Sequence, residues 1–358
     1  MDAHIHDASF QATDSGWADQ RAYIDRAVAA LGDLPLRKEI EAALAASEPA
    51  PVDTTGLSAW KLGADGSPEG TLSCSDGLEF GFDASGAISA LKAGGRQWAD
   101  ANHTLARFRY RSHSEQEFDR YGDRYMLPGC RANETHGSLC GFGKQGLTSV
   151  AGGLSEDWAP KLTAAWKDEK SCKAVMQYTF DGKAQAKYGA PSIANTTVSL
   201  APPASGGKTE AKRQLLIDVQ YHKRQTRMAE SLWVSFEPIV KDVRGFRFDK
   251  LGRSIDPWDV VVNGSRAMHA VWRGLAYFEP PLAPHATVPS ALPAPALEVV
   301  SLDAPVLAID EPSPIVFLRG EQIKGESWHF NCFNNAWNVN YPVWEINSSE
   351  RFRFELRL

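Results

Sequence analysis

From Gly56 to the end, the chain is written as short alternating segments broken by Gly, Pro, Asp and Asn, with no helices between them. A parallel sheet needs a long crossover, usually helical, between its strands. This pattern therefore excludes a parallel α/β fold and predicts a mainly β chain built as a large antiparallel sandwich. Leu78-Glu79-Phe80-Gly81-Phe82 alternates, Asp83-Ala84-Ser85-Gly86 turns, and Ile88 to Leu91 returns, which reads as a hairpin. Further strands are predicted near 105–110, 161–167, 173–180, 195–200, 214–221, 230–237, 258–263, 267–278, 297–301, 314–318 and 327–333. Phe352 to Leu358 ends the chain as a period-two strand. Residues 201–208 and 280–295, rich in Pro and Ala, read as long surface connections.

The N-terminal part differs. Residues 1–16 are polar and without period, and read as a disordered tail. Residues 17–48 read as a short helical hairpin. Trp17, Ile24, Val28 and Leu31 fall near helical spacing, with Asp14 or Ser15 available as an N-cap. Pro35 opens a second helix carrying Leu36, Ile40 and Leu44, and Pro49 and Pro51 end it. Two helices of this size make no core of their own, so their apolar stripes are expected to dock on the sandwich at 57–358.

The net charge of −6 argues against a nucleic-acid or anionic-membrane partner gripped by bulk charge. There is no apolar run of 18 residues, so no transmembrane helix is expected. The five cysteines, Cys74, Cys130, Cys140, Cys172 and Cys332, contain no C-x-x-C pair, which disfavours structural zinc. Cys130 and Cys140 could close a small loop in an oxidising compartment; otherwise the thiols are free. Ten Asn residues yield five N-x-Ser/Thr sequons, at 102, 133, 195, 263 and 347, where chance gives about one. That excess leans toward a secretory route, whereas the first 16 residues lack the basic start and apolar core of a signal peptide.

Four segments carry candidate chemistry. Asp2-Ala3-His4-Ile5-His6 places two imidazoles on one face of a strand, able to grip a metal, or else is an exposed tail. No metal or other cofactor is assigned to the chain. Arg227 and Glu230 precede the apolar strand Leu232, Val234, Phe236; they suit a sugar cleft or a strand-end ion pair. Asp259 to Trp272 reads as strand, Asn263-Gly264 turn and strand, with His269 a general acid or a hydrogen-bonded structural residue. Asn334 to Trp344 packs four Asn and three aromatics into eleven residues, among them Asn335, Trp337 and Asn340. Amides meet vicinal hydroxyls and aromatic faces cover a pyranose; the same loop could instead satisfy its own backbone. No G-x-S-x-G, phosphate loop or dinucleotide fingerprint occurs.

Ser301-Leu302-Asp303-Ala304-Pro305-Val306, Asn334 to Pro342 and Phe352-Arg353-Phe354-Glu355-Leu356 together resemble the ending of α-mannosidase-type proteins of glycoside hydrolase family 38. Val339 stands where that family has Thr. Arg227–Phe236 and Asn263–Trp272 look closer to a related domain-of-unknown-function branch, and Trp17 to Tyr23 is similar to the helix joining barrel and sandwich there. The resemblance implies a galactose-mutarotase-like super-sandwich preceded by the end of a helical bundle. It implies that the Asp nucleophile and most zinc ligands belong to the catalytic barrel and the helical bundle, and this sequence offers no position onto which to carry them. No catalytic residue is therefore assigned, and whether the chain is an enzyme stays open. The expected function is a carbohydrate-related region, non-catalytic alone, with a carbohydrate ligand and a separate barrel as partners. Arg227, Glu230, His269, Asn335, Trp337 and Asn340 are the expected substrate-binding residues. A standalone mutarotase-like epimerase, with His269 and Glu230 as acid and base, and a glycan- or protein-interaction module are the alternatives.

Overall fold

A computed structural model describes residues 8–74, 77–125, 154–200, 214–224, 226, 228–259, 261, 264, 267–283, 292–318, 322–336 and 348–358. Helix α1 spans Ala8–Ala29 and α2 spans Pro35–Ser47, with Pro35 in its first turn as expected. Helix α1 starts before Trp17, so the tail expected at 1–16 is helical from Ala8. Nothing between Ala8 and Ser15 breaks a helix, and the lone Gly16 is tolerated at a cost of about 1 kcal/mol. Tyr23, Ile24, Leu36 and Leu44 stay exposed, so these helices do not bury their apolar stripes on the sandwich.

Among the described residues twenty strands follow in chain order. They are β1 (Ser58–Ala59), β2 (Leu72–Ser73), β3 (Glu79–Phe82), β4 (Ile88–Ala93), β5 (Arg96–Ala99), β6 (Arg107–Ser112), β7 (Glu156–Trp158), β8 (Lys161–Asp168), β9 (Lys173–Thr179) and β10 (Ala194–Leu200). Then come β11 (Gln214–His222), β12 (Glu230–Phe236), β13 (Phe246–Lys250), β14 (Arg253–Ile255), β15 (Met268–Ala270), β16 (Gly274–Tyr277), β17 (Leu297–Ser301), β18 (Val306–Ile309), β19 (Trp328–Asn334) and β20 (Ser349–Arg357). A third helix, α3 (Glu115–Tyr125), interrupts them after β6.

The strands form three antiparallel sheets. A ten-stranded sheet runs β1-β8-β9-β10-β11-β20-β17-β16-β13-β14, a six-stranded sheet β15-β18-β19-β12-β6-β7, and a four-stranded sheet β2-β3-β4-β5. The two large sheets stack through aromatic side chains. Phe108 of β6 meets Tyr221 of β11 at 5.1 Å between ring centres, and Phe330 of β19 meets Phe354 of β20 at 5.2 Å. Trp328 lies 4.6 Å from Phe246. This interdigitation of two inward faces is the core of a β-sandwich.

Among the described residues, two expected strands are not seen. Asp259 and Val261 lie outside any strand, and Val261 is exposed, so β15 pairs with β18 rather than with a 258–263 partner. Residues 314–318 form a turn and irregular chain whose Ile315 is buried. A short apolar run marks burial without saying whether a strand or a plug is buried.

Cys74, just after β2, is bonded to Cys172 in the β8–β9 turn, with their Cα atoms 5.4 Å apart. This pairing was not among those expected; Cys130 and Cys140 lie outside the described residues. The bridge ties the four-stranded sheet to the ten-stranded one, alongside the Leu162 N–H bond to the Ala84 carbonyl at 2.8 Å. The sequon at Asn102 sits in an exposed turn, whereas Asn195 is half-buried within β10. The other three sequons, and His4 and His6, lie outside the described residues.

Candidate functional site

Among the expected substrate-binding residues, the structure brings Glu230 and Asn335 together. Glu230 opens β12 on the face it shares with Leu232, Val234 and Phe236. Its Oε1 lies 2.8 Å from Lys223 Nζ, and both side chains are fully buried. Lys223 also donates to the carbonyls of Gly189 and Arg224. The Asn335 backbone N–H donates to the Glu230 carbonyl at 2.8 Å, and its Nδ2 donates to the Thr226 carbonyl at 3.0 Å. Burial, and then the Glu230 charge, push the Tyr110 phenol well up. This cluster seals the end of β12 from inside, and the Glu230 carboxylate faces Lys223 rather than open space.

His269 sits elsewhere. It is buried on β15 with Nδ1 3.0 Å from Lys250 Nζ and its ring 4.8 Å from Phe248. Its register neighbours run through Leu307 and Phe330 to Val234. Three strand spacings across and four residues along place it about 20 Å from Glu230. The acid–base pair that an epimerase would need is thus not assembled around one carbon. Arg227, Trp337 and Asn340 lie outside the described residues.

A second polar cluster, not anticipated from the sequence, covers the outward face of the six-stranded sheet. Arg109 and Arg111 alternate along β6. Arg109 binds Asp157 at 2.6 Å and Glu237 at 3.0 Å, while Arg111 binds Glu117 at 3.0 Å and Glu311 at 2.7 Å. Glu117 Oε2 lies 3.1 Å from His113 Nδ1, and His113 Nε2 lies 2.8 Å from Ser231 Oγ. The order of groups is that of a nucleophile relay. Burial holds the His113 pKa below its usual value, so the ring is neutral at neutral pH. Burial would raise the Glu117 carboxyl, but the hydrogen bonds from His113 and Ser155 and the charge of Arg111 hold it down at about 2. The ionised carboxylate then accepts from Nδ1–H, and Nε2 accepts from the Ser231 hydroxyl. Ser231 in turn accepts the Trp233 indole N–H at 2.7 Å and has no exposed surface. The relay is a sealed clamp between α3 and β12. Its one sequence signal is the i, i+4 spacing of His113 and Glu117.

An open hollow lies on the outer face of the ten-stranded sheet. It has a volume of about 360 Å³ and lies over β13, β16 and β17. Asp249, Ala276 and Glu298 project outward to form its floor, opposite in phase to the core residues Phe248 and Leu275. Leu251 and Gly252 make the two-residue β13–β14 turn with φ of 52° and 75°, the left-handed pair that such hairpins need. Asp249 Oδ1 accepts the Gly252 N–H at 3.1 Å, which holds that wall in place.

Trp272 stands at the rim with 70% of its surface exposed, its backbone N–H bonded to the Asp249 carbonyl at 2.7 Å. Two residues on, Gly274 has φ +131°, and a Cβ there would fall 2.3 Å from the Val299 carbonyl oxygen. Only glycine lets the chain press this closely on β17, and that approach fixes where Trp272 leaves the sheet. An open indole beside carboxylates over a polar floor suits a ligand that is apolar on its face and hydroxylated at its edge.

Among the described residues no group of three or more His, Cys, Asp or Glu side chains could hold a metal ion. Likewise, no described helix is long and apolar enough to cross a membrane.

Residues 2–202, more than half of the chain, match the family described as Domain of unknown function (DUF5054). The chain belongs to that family. The match falls on the N-terminal part, not on the segments 227–236 and 263–272 that most resembled such a branch. A search of curated proteins finds no significant match. Similar solved structures include two from Enterococcus faecalis. One is an alpha-mannosidase from Enterococcus faecalis V583, at 9% identity and a TM-score of 0.40, covering 84% of this chain and 30% of that one. The other is a protein in the glycosyl hydrolase family 38 from Enterococcus faecalis, at 10% identity and a TM-score of 0.38, covering 84% and 31%. The chain thus spans less than a third of the length of either protein.

Proposed function

We propose that this DUF5054 chain is a carbohydrate-binding β-sandwich, non-catalytic by itself, that serves a glycoside hydrolase family 38-like protein as its C-terminal region. The observation that supports this reading is the exposed Trp272 indole at the rim of the 360 Å³ hollow, above Asp249 and Glu298. An indole face stacks on the C–H face of a pyranose, while carboxylates accept from its hydroxyls. The buried groups best suited by type to acid–base work, Glu230 with Lys223 and His113 with Glu117, are occupied with each other. Bond cleavage then falls to a separate catalytic barrel. The ligand is a sugar and the reading requires no cofactor in this chain.

Tryptophan fluorescence titrated with methyl α-D-mannoside and methyl β-D-glucoside tests the reading. Saturable quenching is expected in the wild type, lost in Trp272→Ala, with no turnover of aryl α-mannosides even when zinc is added. Clear turnover, or identical titrations in wild type and variant, would contradict it. Arg227, Trp337 and Asn340 stay in the proposal as a second set of contacts, and their alanine variants belong in the same titration.

A further inference from the structure

The charge around the hollow runs against the charge of the chain. The protein carries a net −6, yet three guanidinium groups, Arg247, Arg253 and Arg273, line the hollow against two carboxylates, Asp249 and Glu298. The three differ in what holds them. Arg247 is buried and donates to the carbonyls of Arg244, Phe246 and Leu282, with Asp256 at 3.8 Å, so it is part of the frame. Arg273 follows Trp272 directly, is 67% exposed at its side chain, and among the described residues has only a loose ion-pair contact, to Asp249 at 3.9 Å. Arg253 is exposed at the foot of the β13–β14 turn and has no partner among the described residues. Two guanidiniums with spare donors thus border the hollow that Trp272 overhangs.

Resting on the sugar-binding reading above, we propose that this hollow selects sugars bearing a carboxylate, the uronic acids, over their neutral counterparts. A pyranose stacked on Trp272 presents its ring substituents sideways, toward the rim. A neutral CH₂OH there offers one weak acceptor, whereas a carboxylate offers two oxygens that take the parallel N–H pair of a guanidinium. The donors that Arg253 and Arg273 leave unspent in the free protein are the ones such a ligand satisfies. Asp249 on the floor faces the ring hydroxyls, and the negative charge of Asp249 and Glu298 disfavours a carboxylate bound the other way round.

The cleanest probes are methyl β-D-glucuronide and methyl β-D-glucoside, which differ only in the oxidation state of one carbon. By calorimetric titration at low salt, the glucuronide is expected to bind about tenfold tighter, a charge-assisted pair in a partly exposed site. In Arg253→Gln/Arg273→Gln that ratio falls to near one, and in the wild type raising the salt shrinks it. Equal affinities for the two sugars in the wild type, with Trp272→Ala abolishing both, would overturn the uronate preference and leave the sugar site standing. A preference that survives the double arginine variant would overturn the assignment to Arg253 and Arg273. Binding of neither sugar would overturn the preference together with the reading beneath it.

Discussion

The inside of the sandwich and the hollow on its outer face use similar side chains to opposite ends. Within the sandwich, Lys223 and Glu230 close on each other, as do His113, Glu117 and Ser231 on the covered face of the smaller sheet, and none of them has appreciable exposure. At the hollow, Trp272, Arg253 and Arg273 are exposed, and Arg253 and Arg273 retain donors to spare. Residue type alone favours the first set for chemistry; access favours the second. A reacting or binding group must meet a ligand, so the poorer-looking set is the better site.

Variants separate the two sets by their effect on stability. The largest loss is expected for Glu230→Gln, which strands the Lys223 ammonium in the core and costs about 3–5 kcal/mol in urea unfolding. The double variant Lys223→Met/Glu230→Leu should recover most of that loss, because it removes both desolvation penalties. If the single variant is neutral, the pair is not sealed as described. Next comes the disulfide. Cys74→Ser/Cys172→Ser opens a loop with a sequence separation of 98 residues. A loss of roughly 2–5 kcal/mol is expected by the same measurement, and a reductant should lower wild-type stability to match.

Glu117 comes third and is read through pH. Its carboxyl lies at about 2 in the folded protein against a usual 4.5. Its stabilisation is therefore fully present above about pH 4.5 and is lost as the pH falls toward 2. In Glu117→Gln the unfolding midpoint should lose that share of its acid dependence. An unchanged acid limb would place the titration elsewhere. The smallest effect is expected for Trp272→Ala, within about 0.5 kcal/mol of wild type because the indole buries little surface. A loss as large as that of Glu230→Gln would show Trp272 to be a packing residue and erase the contrast between the two regions.

The sequence carried the sheets well and the site poorly, for identifiable reasons. Alternation marks the strands at 161–167, 173–180, 214–221 and 230–237 and the terminal strand, because each turns one apolar face to the core, although β12 is buried on its other face as well. It fails at Val261, which is exposed outside any strand, and at 314–318, where apolar residues form a buried plug. The Cys74–Cys172 pairing spans sheets far apart in the chain, which spacing cannot foretell. Glu230 and Asn335 were singled out for their chemistry and do meet, but alternation places Glu230 on the inward face, and Lys223, seven residues upstream, supplies its partner. Trp272 lay at the edge of a segment already of interest. Beside it Gly274 presses against β17, a long-range contact with no local signature.

The most direct test of the sugar seat is a crystal of the protein soaked with methyl β-D-glucuronide. Difference density for a pyranose ring lying on the Trp272 indole, its carboxylate toward Arg253 and Arg273, is the expected result. A sugar bound instead beside Glu230 and Asn335, or density absent over Trp272 at a concentration that saturates binding in solution, would contradict the account.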